Sequence, residues 1–271
     1  MNYQVYTPSR ELQVFVKCFW TLEADSKEEP SRQRVLPDGC MEMIFHYGDL
    51  YKQYFEDGSF VVQPRSFIFG QITRYIEIEP TGASGIVSAR FHPEGLSPFL
   101  KIPVSALENK AVSMGDLFGG KGHDLEKEIL SATGNLQRIK IIEQFLLSLL
   151  ADPGTADTIT KNCVDAIFRS QGQIAVADLA GKMNINRRNI ERKFAATVGM
   201  SPKQLSKAVR LQAALKMLQE NNFSSLTSLA YDNGYYDQAH FIKDFKEFTG
   251  LSPKSFFAGN LRFATLFASA E

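Results

Sequence analysis

The feature that most constrains this chain is a repeat in its last third. Phe194-x4-Gly199-Met200-Ser201-Pro202-Lys203 returns 51 residues later as Phe245-x4-Gly250-Leu251-Ser252-Pro253-Lys254, and Leu179-Ala180 returns 50 residues later as Leu229-Ala230. One inserted residue in a turn reconciles the two offsets. Two copies are too few for a solenoid, which needs about three, so a tandem pair of small helical units is expected. In the first copy Val176, Leu179, Ala180 and Met183 fall at i, i+3, i+4 and i+7 and share a helix face. Asn184-Ile185-Asn186 breaks that helix, and Asn186 caps the next one by accepting from a free backbone N–H. Ile190, Phe194 and Val198 then face inward, while Arg187, Arg188, Glu191 and Arg192 face outward. Gly199 suits the left-handed residue that ends a helix, and Ser201-Pro202 suits the cap and first position of another. The second copy repeats the scheme. Ser225 caps a helix carrying Leu226, Leu229 and Ala230, Asn233-Gly234 makes the turn, and Asp237 caps a helix that buries Phe241, Phe245 and Phe248.

Two helices joined by a tight turn, the second presenting a basic outer face, form the helix-turn-helix plan, whose second helix fits the DNA major groove. Net charge seems at first to oppose this, since 30 Lys+Arg balance 30 Asp+Glu. Residues 1–157, however, carry 15 basic and 21 acidic residues, a net of −6, and residues 158–258 carry 14 and 8, a net of +6. Charge asymmetry of this kind directs a basic half toward nucleic acid. Between the copies, Pro202 to Glu220 reads as one long helix with Leu205, Ala208, Leu211, Leu215 and Leu218 as its apolar stripe. Such a rod would fix the two reading helices relative to each other; if they face the same way about one DNA turn, ~34 Å, apart, both could read successive major grooves.

The first part of the chain has a different pattern. After the turn signal Leu36-Pro37-Asp38-Gly39, short runs rich in β-branched and aromatic residues follow: Met41 to Phe45, Ser59 to Val62, Ser66 to Phe69, Tyr75 to Ile78 and Gly85 to Phe91. Strands at this spacing predict a barrel or sandwich. Short helical stretches are expected around 96–118, and a stronger helix from Leu136 to Leu150 with Ile139, Ile142, Leu146 and Leu149 on one stripe. That stripe could serve a dimer, although packing on its own barrel is the simpler use. The likeliest linker is Ala151 to Ala156, around Asp152-Pro153-Gly154. The expected organisation is therefore α+β: residues 1–157 as a β-rich domain with a helical tail, and residues 158–271 as an all-α tandem helix-turn-helix domain.

Several classes drop out. No run approaches the ~18 apolar residues of a membrane span. The start, MNYQVYTPSR, lacks a signal-peptide pattern, and the scattered Cys18, Cys40 and Cys163 form no CxxC pair. A reduced, cytoplasmic protein is expected, with no membrane partner, no cofactor and no metal.

These motifs resemble the DNA-binding domain of AraC-family transcription regulators over residues ~160–258. The matching pieces are Val176-x2-Leu179-Ala180, Arg192-x-Phe194-x4-Gly199-x-Ser201-Pro202, and Leu229-Ala230-x3-Gly234-Tyr235-x-Asp237-x2-His240-Phe241-x3-Phe245-Lys246-x3-Gly250-x-Ser252-Pro253. Two departures stand out. Ala175 replaces the usual Ser or Thr cap, forfeiting about 1 kcal/mol, and Phe256-Phe257 replaces a common Tyr-Arg. The resemblance implies a sequence-specific, non-enzymatic regulator of transcription that binds double-stranded DNA. Arg188 and Arg192 suit guanine, Glu191 a cytosine amino group, and Gln238 adenine. Arg187, Tyr236, Ala239, His240 and Lys243 complete the candidate base-reading surface, with Lys203 as a phosphate contact. Solvated charge is the bland alternative for the basic residues, and a structural role in the turn for His240.

Pro37-Asp38-Gly39-Cys40-Met41-Glu42-Met43-Ile44-Phe45 and Arg90-Phe91-His92-Pro93-Glu94-Gly95 resemble an N-terminal domain often found ahead of this DNA-binding domain. That resemblance implies a cupin-like barrel that senses a small-molecule effector or forms a homodimer. Glu42, His46 and Arg90 are the candidate effector-binding residues, and RNA polymerase is a further partner open to such a protein. The competing reading is a metal-dependent barrel enzyme with a helical interaction module. In it Glu42 and His46 share one strand face, which His92 could approach.

Overall fold

The computed structural model describes residues 1–25, 32–150, 157–220 and 222–258. In the first half, ten strands form two antiparallel sheets. They are β1 (Asn2–Tyr6), β2 (Val16–Ala24), β3 (Gln33–Val35), β4 (Met41–His46), β5 (Tyr51–Tyr54), β6 (Phe60–Val62), β7 (Ser66–Phe69), β8 (Ile76–Pro80), β9 (Ser84–Phe91) and β10 (Ala111–Ser113). The larger sheet runs β1-β2-β9-β4-β7-β10 and the smaller β3-β8-β5-β6.

Strand alternation gives the larger sheet two different faces. On one, Phe19, Met41, Met43, Phe45, Val87, Ala89 and Phe91 are buried in a single cluster with Leu125, Ile129, Ile139, Ile142 and Leu146. Those last five come from α2 (Gly120–Ser131) and α3 (Asn135–Leu149), which follow α1 (Met114–Phe118). The stripe on α3 is thus covered by the chain's own sheet and is not left free for a dimer. On the other face, Trp20, Leu22, Glu42, Ile44, His46, Ile86 and Arg90 look across a cavity toward Val35, Tyr51, Ile76 and Ile78 of the smaller sheet.

The stretch expected to be helical at 96–118 is only partly so. It has single turns at Ser97–Phe99 and Val104–Leu107, and then β10 pairs with β7, Val112 opposite Ile68. The free edge of β7 offers Ala111–Ser113 backbone partners that local propensity does not register. The linker expected at 151–156 lies outside the described residues.

The second half is helical: α4 (Thr158–Arg169), α5 (Val176–Met183), α6 (Arg187–Thr197), α7 (Pro202–Gln219), α8 (Leu226–Asp232), α9 (Gln238–Thr249) and α10 (Pro253–Ala258). The expected caps form. Asn186 accepts from Asn189 N–H, and Asp237 from His240 N–H. Ser201 and Ser225 make reciprocal capping boxes, while Ala175 makes no side-chain cap bond. Gly199 and Gly250 close α6 and α9 at φ +82° and +72°, a region that a side chain penalises.

The two helical units have separate cores and one shared wall. Leu179, Ile190, Phe194, Leu205 and Val209 belong to the first core; Leu211, Leu215, Leu218, Leu229, Phe241 and Phe245 belong to the second. Because α7 supplies residues to both, it joins them by burial as well as by chain. Phe245 packs edge-on against Phe241 and Phe256, with ring centroids 5.6 and 5.1 Å away. Truncating it leaves a hole in a small core, so Phe245→Ala is expected to cost about 3–5 kcal/mol. Chemical denaturation monitored by circular dichroism reads this loss.

Candidate nucleic-acid interface and an internal cavity

Residues 187–197 follow a left-handed turn residue, Asn184 at φ +51°, which redirects the chain from α5 into α6. Ile190 and Phe194 are buried, whereas Arg187, Arg188, Glu191 and Arg192 are exposed, as their spacing predicted. Arg187 Nε donates to Glu191 Oε1 at 2.9 Å. No carboxylate among the described residues holds Arg188 or Arg192, so these two guanidinium groups stand open to solvent on the first turns of α6. Lys203 is exposed one residue into α7.

The second unit presents a less charged surface. Tyr236 is 85% exposed just before α9, and Ala239 and Lys243 are exposed along it. Gln238 is half-buried, and its carbonyl oxygen accepts from Thr227 Oγ1 at 2.8 Å, which fixes the side chain while leaving its amide N–H groups available. His240 lies edge-on to Tyr235 and 3.8 Å from the buried Asp244 Oδ2. Sequence reasoning missed Asp244 itself. Its other oxygen accepts from Lys207 Nζ at 2.9 Å, tying α9 to α7.

The structure also brings Glu42, His46 and Arg90 to one place, the cavity between the sheets. Register explains the pairing: Glu42 on β4 lies opposite Arg90 on β9. Arg90 NH1 donates to Glu42 Oε1 at 2.7 Å, and NH2 donates to Asp38 Oδ2. Ser88 Oγ donates to the second oxygen of Glu42 at 3.3 Å. Burial pushes the Glu42 carboxyl up against the pull of Arg90, and burial pushes the Cys40 thiol up to about 12. Burial also lowers His46 to about 4, with Gln63 opposing that shift, so the ring is neutral at pH 7. His92 does not line this cavity; its Nε2 lies 3.2 Å from Gln13 O. It therefore does not approach Glu42 and His46 in this cavity.

The two halves touch at several places, among them Tyr75, whose N–H donates to Phe248 O at 3.0 Å, β3 and the loop that precedes β4. Leu36 lines the cavity and also belongs to the buried cluster of the second helical unit. Gln212 Nε2 of α7 donates to Pro37 O at 2.8 Å, and Arg34 NH1 donates to Thr249 O at 2.7 Å. At Gly39 a Cβ would come within 2.5 Å of Leu205 Cδ1, so loop and helix are in close approach.

His46 makes a pH prediction. Its folded pKa of about 4 lies below the unfolded value of about 6.5. Between those values the unfolded chain binds more protons, so stability rises with pH across that window and is lost as pH falls through it. The expected loss is about 3 kcal/mol. Denaturation midpoints between pH 7 and 4 should show it, and His46→Phe should flatten that slope.

Comparison with known proteins places two family models on the chain. Residues 4–113 match a domain of unknown function, DUF6597, and residues 179–259 match a helix-turn-helix domain. An uncharacterized HTH-type transcriptional regulator of Haemophilus influenzae is 30% identical over 135 residues, 48% of this chain and 45% of the relative. The Msm operon regulatory protein of Streptococcus mutans is 30% identical over 118 residues, 43% of this chain and 42% of that protein. A putative AraC-like transcription regulator of Streptomyces lividans is 30% identical over 101 residues, 37% of this chain and 33% of that protein. The chain thus spans less than half the length of the curated relatives it matches. Among solved structures, ToxT from Vibrio cholerae O395 aligns with a TM-score of 0.46 at 12% identity, over 89% of this chain and 97% of ToxT.

Proposed function

We propose that this chain, whose C-terminal part carries an AraC-type helix-turn-helix domain, is a sequence-specific DNA-binding regulator of transcription with an N-terminal sensing domain. The observation that carries the reading is the pair of capped helices, α6 and α9, held by one buried rod. At 1.5 Å per residue, the 18 residues of α7 span about 27 Å. That length is of the same order as the ~34 Å repeat of the major groove on one face of DNA. Arg188 and Arg192 would address guanine from α6, with Arg187 and Glu191 beside them. Tyr236, Gln238, Ala239, His240 and Lys243 would form the α9 surface, and Lys203 would meet phosphate.

We place the boundary between the halves at 157/158, where the charge changes sign. On this reading Glu42, His46 and Arg90 belong to an effector site. Leu36 supports a link between that site and the DNA-binding half, because it lines the cavity and is buried with the second helical unit. A homodimer and contact with RNA polymerase are further proposals that the same resemblance carries.

Electrophoretic shift of full-length protein on a selected duplex tests the reading. If about six phosphates are neutralised, affinity should fall about 10³-fold between 50 and 200 mM salt. Arg188→Ala should relax preference at one base pair by ~1–3 kcal/mol while leaving other positions unchanged. Salt-insensitive binding, or an unaltered preference, would remove this role.

A further inference from the structure

We infer that the cavity between the two sheets takes an uncharged, mostly apolar molecule bearing a hydroxyl group that meets the ring of His46. The inference rests on the N-terminal half being a sensor and adds the chemical class of what it senses. Most of the wall is apolar, with Tyr3, Trp20, Leu22, Ile44, Tyr51 and Ile78 contributing to it. An occupant must therefore be apolar over most of its own surface.

The charged groups on the wall already satisfy one another. Arg90, 5% exposed, sits between Asp38 and Glu42, and Ser88 reaches the remaining Glu42 oxygen. An organic anion would have to displace a carboxylate from Arg90. An organic cation would have to draw one away from it. Either exchange leaves a buried charge poorly compensated, which is strongly unfavourable.

His46 is different. It is 2% exposed, Tyr51 stacks on it at 5.3 Å, and among the described residues neither ring nitrogen meets a partner at full hydrogen-bonding geometry. Gln63 is its nearest polar neighbour, close enough to favour the charged ring weakly, and sends its amide N–H to Gln53 Oε1, 3.4 Å away. A neutral imidazole has one N–H donor and one acceptor, and burying both unmet is costly. A hydroxyl both donates and accepts, and it brings no charge into an apolar wall.

Trp20, the only tryptophan in the chain, lines this cavity, so its emission reports occupancy. Full-length protein would be titrated with hexanol, hexanoate and hexylammonium, three probes of one chain length and different head groups. The expected result is saturable binding of hexanol, about tenfold tighter than either ion. Loss of one neutral hydrogen bond should make His46→Leu bind hexanol about fivefold more weakly. Should that variant fail to fold by circular dichroism, the ranking of the three probes on the unaltered protein decides the matter alone. An ion binding as tightly as hexanol overturns the ligand class and leaves the sensing role standing. Hexanol binding unchanged in a folded His46→Leu removes His46 from the site. Silence of Trp20 toward all three probes overturns the ligand class and the sensing role together, while gel shifts on DNA remain a separate readout of the helical half.

Discussion

Burial of α7 on several sides is the constraint on which the rest of this molecule depends. Leu205 and Val209 near its start belong to the first helical core, and Leu211, Leu215 and Leu218 further along belong to the second. Neither unit could bury its aromatic residues without this shared wall, and a single unit would be too small to hold a core of its own. The Lys207–Asp244 ion pair adds direction, since it joins α7 to α9 at a position that is nearly dry. The relative placement of α6 and α9 is thus a consequence of packing on one rod.

The same rod bears the β-rich half. Pro37, Gly39 and Leu36 approach it from one loop, and the next residue in that loop after Pro37, Asp38, pairs with the cavity arginine. Between the cavity and α7 there is consequently one short segment, residues 36–40, in which alternate groups face each way. Its rigidity comes from local chemistry: Asp38 Oδ1 accepts from Cys40 N–H at 2.8 Å, and Gln71 Nε2 donates to Gly39 O at 2.8 Å. The cavity wall is thus also a support for the helical half.

Much of the helical half was legible in the sequence. Its caps, turns and inward residues depend on local rules, and Asn186, Ser201, Ser225 and Asp237 all obey them. The β-rich half was legible only where alternation was strong, as in β4. Strands β1, β2, β3, β5 and β10 were missed; β2, for example, is set in place by pairing far along the chain, Trp20 with Ser88, and no local pattern encodes that. The helix α2 was missed because Gly120-Lys121-Gly122 opens it with poor helix formers. Of the candidate effector residues, the shared face of Glu42 and His46 followed from strand period. Their convergence with Arg90 followed only from register. Trp20, Tyr51 and Gln63, which complete that wall, carried no signal that a lone sequence could expose.

Whether α6 and α9 act together, at a spacing fixed by α7, is read in the DNA that the protein selects. Selection of bound sequences from a randomised duplex pool by the full-length protein tests it most directly. Two enriched elements are expected, their centres about one helical turn, roughly 10–10.5 base pairs, apart. A single enriched element, two elements at variable spacing, or no enrichment even at low salt would contradict this expectation.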